Sequence, residues 1–456
     1  MPDTTEISDV ATDGAFLDSL PDSAPRHDQR PEGMHAGCDC GHEEEAQDPW
    51  RRGFTRRRVL QGTSAMVAAL GVQTVSTKYA FSAATKALDV DTVVVVSLRG
   101  GWDGLNIVVP TFENRYYEQR PSIAVPKAAA LALERGFGLH PSLAGLYKLY
   151  GAGKLAPVVA VGTPDMTLSH FEAMDTLERG TAVSGTPSGW LNRILQVRGD
   201  QGVFSAVQMG SSLPLSLAGD APALTMSGIQ SFGLQGYDDV RARAHTAFDA
   251  LYKGMKHPLA TQVHDTVAAL NKIGKIAPTP EAVGKTYPGG GFGDALKDVA
   301  RLVKAKLGLS IATIDVGGWD MHTNEGGVDG DLSNHLKELD QGLSAFVADL
   351  GPAFGNVTVL LISEFGRTLR QNGATGTDHG HGQPMLVLGG GVKGGKVYGA
   401  WPGLDDKALF SNGSLAGRTD YRDVIADVFG KRARVGSFAK IFPDHKTKAL
   451  GLATVR

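Results

Sequence analysis

Apolar residues along the chain fall into two patterns. Short continuous runs at 91–97, 155–161, 310–316, 356–363 and 385–388 are rich in Val, Ile and Leu, and Thr92 is followed by four valines. Runs of this kind, without polar alternation, predict strands buried on both faces, as in a parallel sheet. Between them, residues 141–151, 293–307 and 332–350 have helical spacing. In the last, Leu332, Leu336, Leu339, Leu343, Phe346 and Val347 recur at steps of three and four and form one apolar stripe. Strands alternating with helices predict a layered α/β domain around a mostly parallel sheet. The stretch 200–290 is less regular and reads as an insertion or cap, and no internal repeat is present.

Composition narrows the class. Hydrophobic residues make up 42% and charged residues 20% of the 456, which supports a large core. A net charge of −3 argues against nucleic acid as a partner, and two cysteines exclude a disulfide scaffold. The charge is unevenly spread, however. Residues 1–50 carry 13 acids against Arg26 and Arg30, residues 51–82 carry six bases and no acid, and the remainder is near +2. The acidic segment lacks hydrophobic periodicity and reads as a disordered tail. Its His35, Cys38, Cys40 and His42 are thiol and imidazole groups able to bind a soft metal, or simply part of a solvated tail.

The basic segment is more specific. Thr55-Arg-Arg-Arg-Val-Leu-Gln61 resembles the twin-arginine export motif, and the moderately apolar run 62–75 and small residues at Ala80, Ser82 and Ala83 follow in the order of a cleavable leader. That run is too short to span a membrane. The chain therefore divides into a tail (1–50), an export segment (51–82) and a domain (88–456). The expected partner is the twin-arginine translocation machinery, and the mature domain is expected in the periplasm, on the cell surface or outside the cell, without a stable membrane span.

Polar clusters follow four of the predicted strands, the position where open α/β sheets bind ligands. Asp103 lies in a glycine turn after the first, with Arg99 able to bind an anion. Ser169 and His170 follow the second; a hydroxyl beside an imidazole suits nucleophilic chemistry, while Glu172 three residues on equally makes a helix capping box. Asp320 and His322 follow the third, in a Gly-rich loop suited to a divalent metal. Glu364 ends the fourth, where an apolar setting demands a cation: a metal, or Arg367. His379 and His381, flanked by glycines, are further metal candidates.

Together the motifs Leu98-Arg-Gly-Gly-Trp-Asp-Gly-Leu-Asn106, Ser169-His-Phe-Glu-Ala173, Gly317-Gly-Trp-Asp-Met-His322, Ser363-Glu-Phe-Gly-Arg-Thr368 and Gly376-Thr-Asp-His-Gly380 resemble the DUF1501 family of exported proteins, over about residues 91–430. That family is similar to the alkaline phosphatase and sulfatase superfamily. The resemblance implies a three-layer α/β/α sandwich with a mostly parallel central sheet. It also implies a divalent cation (zinc, calcium, magnesium or manganese) and hydrolysis of phosphate or sulfate esters, on a small-molecule or polymer substrate. Carried onto this chain, Ser169 is the nucleophile and His170 its neighbour; Asp103, Asp320, His322, Glu364 and His379 or His381 are metal ligands; Arg99 and Arg367 clamp anionic oxygens. Phe365 stands where the superfamily has a histidine ligand, and the Asp320–His322 step is shorter than the superfamily's. These departures imply an alternative: an exported, non-catalytic binding or surface-assembly protein with an eroded site.

Overall fold

Thr92–Leu98 forms β1, and its side chains alternate between two cores because successive Cβ atoms of a strand point to opposite faces. Val94, Val96 and Leu98 enter one core and Val93 and Val95 the other, all essentially without solvent contact. The computed structural model describes residues 91–183, 185–200, 202–229 and 286–456, with Thr246 and Ala250. The chain divides into units Met1–Thr55 and Arg56–Arg456, and every described residue belongs to the second. The acidic tail, its Cys38 and Cys40, the export segment and most of 230–285 lie outside the described residues.

In chain order, α1 (Gly104–Ile107) and β2 (Val108–Pro110) follow β1, then α2 (Asn114–Gln119), β3 (Leu131–Ala132), β4 (Phe137–Leu139) and α3 (Ala144–Gly151). Next come β5 (Leu155–Gly162), α4 (His170–Arg179), α5 (Trp190–Arg198), β6 (Ala206–Met209) and β7 (Leu224–Met226). After the undescribed stretch come α6 (Gly291–Lys304), β8 (Ile311–Val316), α7 (Asp331–Leu350) and β9 (Val357–Ile362). The chain closes with β10 (Gly366–Arg367), β11 (His379–Gly380), β12 (Gln383–Gly389), β13 (Thr419–Asp420) and α8 (Tyr421–Arg432). Eight strands form one sheet in the order β13-β5-β12-β9-β1-β8-β6-β7, in which β12 is antiparallel to both neighbours and every other pairing is parallel.

The two cores make the three layers. On one face α3, α6 and α7 bring Leu146, Leu296, Val299, Leu336, Leu339, Leu343 and Phe346 against the sheet. On the other, α5 and α8 bring Leu191, Ile194, Leu195, Val424, Ile425 and Phe429. The predicted stripe of α7 is thus buried as its spacing requires. One feature is not expected from the sequence: at the start of 200–290, β6 pairs in parallel with β8, and β7 pairs in parallel with β6, as one edge of the sheet. Strands of four and three residues are too short to show a period.

Leu339→Ala should lower the stability of the domain by about 2–5 kcal/mol through the cavity it leaves. Glu338→Ala, exposed on the opposite side of α7, should stay within about 0.5 kcal/mol. Denaturant unfolding of the two variants tests this.

Candidate metal centre

β1, β8 and β9 are parallel, and β5 shares their direction because β12, between β5 and β9, opposes both. The loops after these four strands therefore leave the sheet on one side. Two glycines let them meet. At Gly100 (φ +127°) a Cβ would lie 2.4 Å from the Asp320 backbone nitrogen, and at Gly101 (φ +74°) 2.3 Å from the Phe365 ring. Arg367, fully buried, ties the loops together. Its guanidinium donates to the carbonyls of Gly100 and Gly101, to those of Thr377 and Trp319 at 3.1 Å each, and to Asp320 Oδ1 at 2.6 Å.

Around Asp320 stand three imidazoles. His170 Nε2 is 3.4 Å from Oδ2; His322 Nε2 and His379 Nε2 are 3.0 and 3.3 Å from Oδ1 and 3.1 Å from each other. His170, Asp320 and His379 each offer an atom within 4.8 Å of the others. Every ring is held from behind. His170 Nδ1 donates to Glu364 Oε1 at 2.8 Å, His322 Nδ1 to Asp378 Oδ1 at 3.1 Å, and His379 Nδ1 to the Leu168 carbonyl at 2.9 Å. Glu364 is itself buried and receives the Gly100 N–H and the Ser363 hydroxyl, each at 2.8 Å. Leu168 has a left-handed backbone (φ +57°), a conformation costly outside glycine, and it aims that carbonyl at His379.

These partners fix the tautomers. A ring whose Nδ1 donates to an oxygen keeps, while neutral, a lone pair on Nε2. Burial favours the neutral state of His379 by pulling its pKa down. In a neutral ring so held, the Nε2 lone pair turns toward the Asp320 carboxylate, and His170 Nε2 is buried without a hydrogen-bond partner. Arg367 meets this carboxylate from one side, and a metal ion is a second cation that the nitrogens could hold. Each imidazole nitrogen lies 3.0–3.4 Å from a carboxylate oxygen, His170 from Oδ2 and the other two from Oδ1, and His170, Asp320 and His379 come close enough together to share a metal, with His322 beside them. Histidines held by a carboxylate or carbonyl on the distal nitrogen are the usual form of imidazole ligands. The residues present therefore fit a bound metal, with side chains 26–45% exposed that leave it open to solvent.

The expected residues take different places. His170, read as a catalytic neighbour of Ser169, stands with Asp320, His322 and His379 as a donor atom. Glu364, expected as a ligand, spends its oxygens behind His170. Asp103 is not brought to the cluster. It is buried against Arg120, which also bonds Asn106 at 2.8 Å. His381 is buried elsewhere, accepting from the Gly417 N–H and donating to the Thr163 carbonyl at 3.1 Å each, so neither nitrogen is available for a metal. Arg99 pairs with Glu178 at 2.7 Å and Asp315 at 3.0 Å, and Arg367 is spent on carbonyls and Asp320; neither guanidinium is free to clamp an anion. Ser169 precedes α4, but its hydroxyl makes no capping hydrogen bond, so the capping box does not form. Phe365 packs against both His170 and His379, with ring centroids 4.9 and 4.7 Å away, and the two imidazoles touch each other at 4.4 Å.

Sequence reasoning missed Arg120 and the role of Glu325. Burial and the charge of Asp103 raise the Glu325 carboxyl well above its usual value. Burial also pushes Asp103 up, but Arg120 outweighs it and holds Asp103 low. The two carboxyls are thus driven apart, Glu325 upward and Asp103 downward. Arg120 lies 17 residues beyond Asp103 in a stretch without motif character, and only tertiary packing connects them.

The sequence profile described as "Protein of unknown function (DUF1501)" matches residues 139–441, well over half of the chain. The chain belongs to the DUF1501 family. The matched span holds Ser169, all four metal-centre residues and Glu364, and begins after Asp103, later than the expected start near 91. No curated protein matches the sequence. The DUF1501 chain is similar to the PsFucS1 sulfatase of a Pseudoalteromonas species (12% identity, 79% of this chain and 77% of that one, TM-score 0.32). It is also similar to a protein of the alkaline phosphatase superfamily from Vibrio parahaemolyticus (10%, 77% and 72%, 0.31) and to the alkaline phosphatase of the Antarctic bacterium TAB5 (9%, 66% and 92%, 0.28).

Asp103→Asn should destabilise the domain by about 3–5 kcal/mol, because it removes the carboxylate paired with the buried Arg120, yet leave metal content per folded chain unchanged. Thermal unfolding and elemental analysis together measure this. Glu325 makes a separate pH prediction. Because its pKa is raised by folding, it favours the native state below its usual value near 4.5, and that contribution is lost as pH rises through the folded value. Glu325→Gln should therefore flatten the fall of Tm with rising pH above 4.5; an unaltered slope would contradict the raised carboxyl.

Proposed function

We propose that this protein is an exported, metal-dependent hydrolase of phosphate or sulfate esters, with one metal held by His170, Asp320, His322 and His379. The observation that carries it is the convergence of three imidazoles on one carboxylate. The donor set, three nitrogens and an oxygen, suits zinc or a similar transition metal better than calcium or magnesium, which prefer oxygen. When bound, such a metal supplies a Lewis acid that polarises the ester and lowers the pKa of a nearby hydroxyl or water.

The chain's own groups do the rest. Ser169 sits between Leu168, which holds His379, and His170, and its hydroxyl has no hydrogen-bond partner among the described residues, which leaves it available as a nucleophile. Glu364 fixes the His170 ring and keeps its proton on Nδ1. Arg367 holds Asp320 in place and keeps its carboxyl below the usual range against the opposing effect of burial. Export through the twin-arginine machinery rests on the 51–82 segment; among the described residues no helix is long and apolar enough to cross a membrane.

A second reading, a non-catalytic exported binding protein, is favoured by Phe365, a hydrocarbon ring packed against His170 and His379.

Protein purified from the exporting host should contain about one transition metal per chain. His379→Ala and Asp320→Ala should lose it, and Glu364→Gln should bind it about 10–100-fold more weakly. Ser169→Ala should abolish turnover of 4-nitrophenyl phosphate or sulfate without altering metal content. Wild-type protein with no bound metal would sink the metal centre; metal with no turnover on a broad ester panel would select the binding protein.

A further inference from the structure

Next to the metal centre lies a cleft of about 490 Å³. The two share a wall. Asp378, which lines the cleft, holds His322 Nδ1, and Asn412 donates its amide to the His379 carbonyl at 2.7 Å. The wall is rigid because its amides are used at both ends. Asn372 donates to the His322 carbonyl and Asp378 and accepts from the Ala374 and Gly376 N–H groups, while Asn412 also accepts from Ser414.

The acids lining the cleft are also matched. Asp378 faces His322, and Asp406 pairs with Arg115 at 2.5 Å. One guanidinium lining the cleft is unpaired: Arg370 is exposed into the cleft and has no carboxylate partner among the described residues, and Arg115 Nε is buried without a hydrogen-bond partner. Arg115 and Asp406 also border a neighbouring hollow of about 590 Å³, which Asp405, Lys407 and Arg418 line as well. A surplus guanidinium in a concave, preformed wall is a recognition element for a planar or tetrahedral oxyanion. At the metal centre itself, by contrast, both arginines are spent internally.

We propose that this cleft binds a second anionic group of the substrate, on Arg370, so that the preferred substrates are polyanionic esters carrying several sulfate or phosphate groups. The inference rests on the hydrolase reading and adds the substrate class to it. A substrate with one ester gains nothing from the cleft. One with several places a reacting group at the metal and a neighbouring group on the guanidinium, which fixes its register.

Calorimetric titration of the purified metal-bearing protein tests this, using sucrose octasulfate and inositol hexakisphosphate as polyanions and glucose 6-sulfate and glucose 6-phosphate as monoesters. Arg370→Ala is expected to weaken the sulfated or the phosphorylated polyanion about tenfold or more, and which of the two responds identifies the oxyanion. Both monoesters should be unaffected, Arg370→Lys should recover part of the loss, and Lys446→Ala, a distant exposed cation, should change nothing. The proposal is overturned if Arg370→Ala binds both polyanions like wild type, if the monoesters weaken equally, or if Lys446→Ala loses as much. Metal content separates the two readings. Bound metal with an indifferent Arg370 removes the cleft alone, whereas a responsive Arg370 in protein that holds no metal removes the hydrolase and leaves an anion-binding surface.

Discussion

The site depends on one buried guanidinium. Arg367 satisfies carbonyls from the loop after β1, the loop after β8 and the segment leading into β11, and places its last hydrogen bond on Asp320. A buried arginine is costly unless each N–H finds an acceptor. The loops can supply those acceptors only in their observed arrangement, so satisfying the charge and assembling the site are the same event. Gly100 and Gly101 are part of that condition, because any side chain there would keep the loops apart.

The second constraint is electrostatic. Three histidines whose outer nitrogens are committed to Glu364, Asp378 and the Leu168 carbonyl have no choice about where their lone pairs point. The left-handed backbone of Leu168 shows that the fold accepts local strain to keep that direction. The arrangement is rigid behind and open in front, the form expected of a centre that presents a metal to a ligand. Phe365 closes one flank with a hydrocarbon ring against His170 and His379.

Much of this was legible in the residues. The five apolar runs lie within strands of one sheet, and the stripe from Leu332 to Val347 lies on one helix, because burial on two faces or one leaves a period that composition cannot hide. Clusters after strands pointed to the right edge, since strand direction alone decides where loops emerge. Less visible were β6 and β7, too short to show a period, and the antiparallel sense of β12, which depends on how the chain returns. The roles of individual acids were least visible. Asp103 and Asp320 both follow a strand in a Gly-Trp-Asp sequence; one is buried against Arg120 and the other meets the histidines.

By itself, then, the sequence determined the layered fold, the edge of the sheet that carries polar chemistry, and the residue types available there. These follow from periodicity and strand order, properties of neighbouring residues along the chain. Only the tertiary structure decided which carboxylate is paired with a cation, which histidine nitrogens are free, and which arginines remain for a substrate. Those outcomes depend on partners up to hundreds of positions apart, such as Gly100 and Glu364, and hydrogen bonds a few ångströms long distinguish what spacing along the chain cannot.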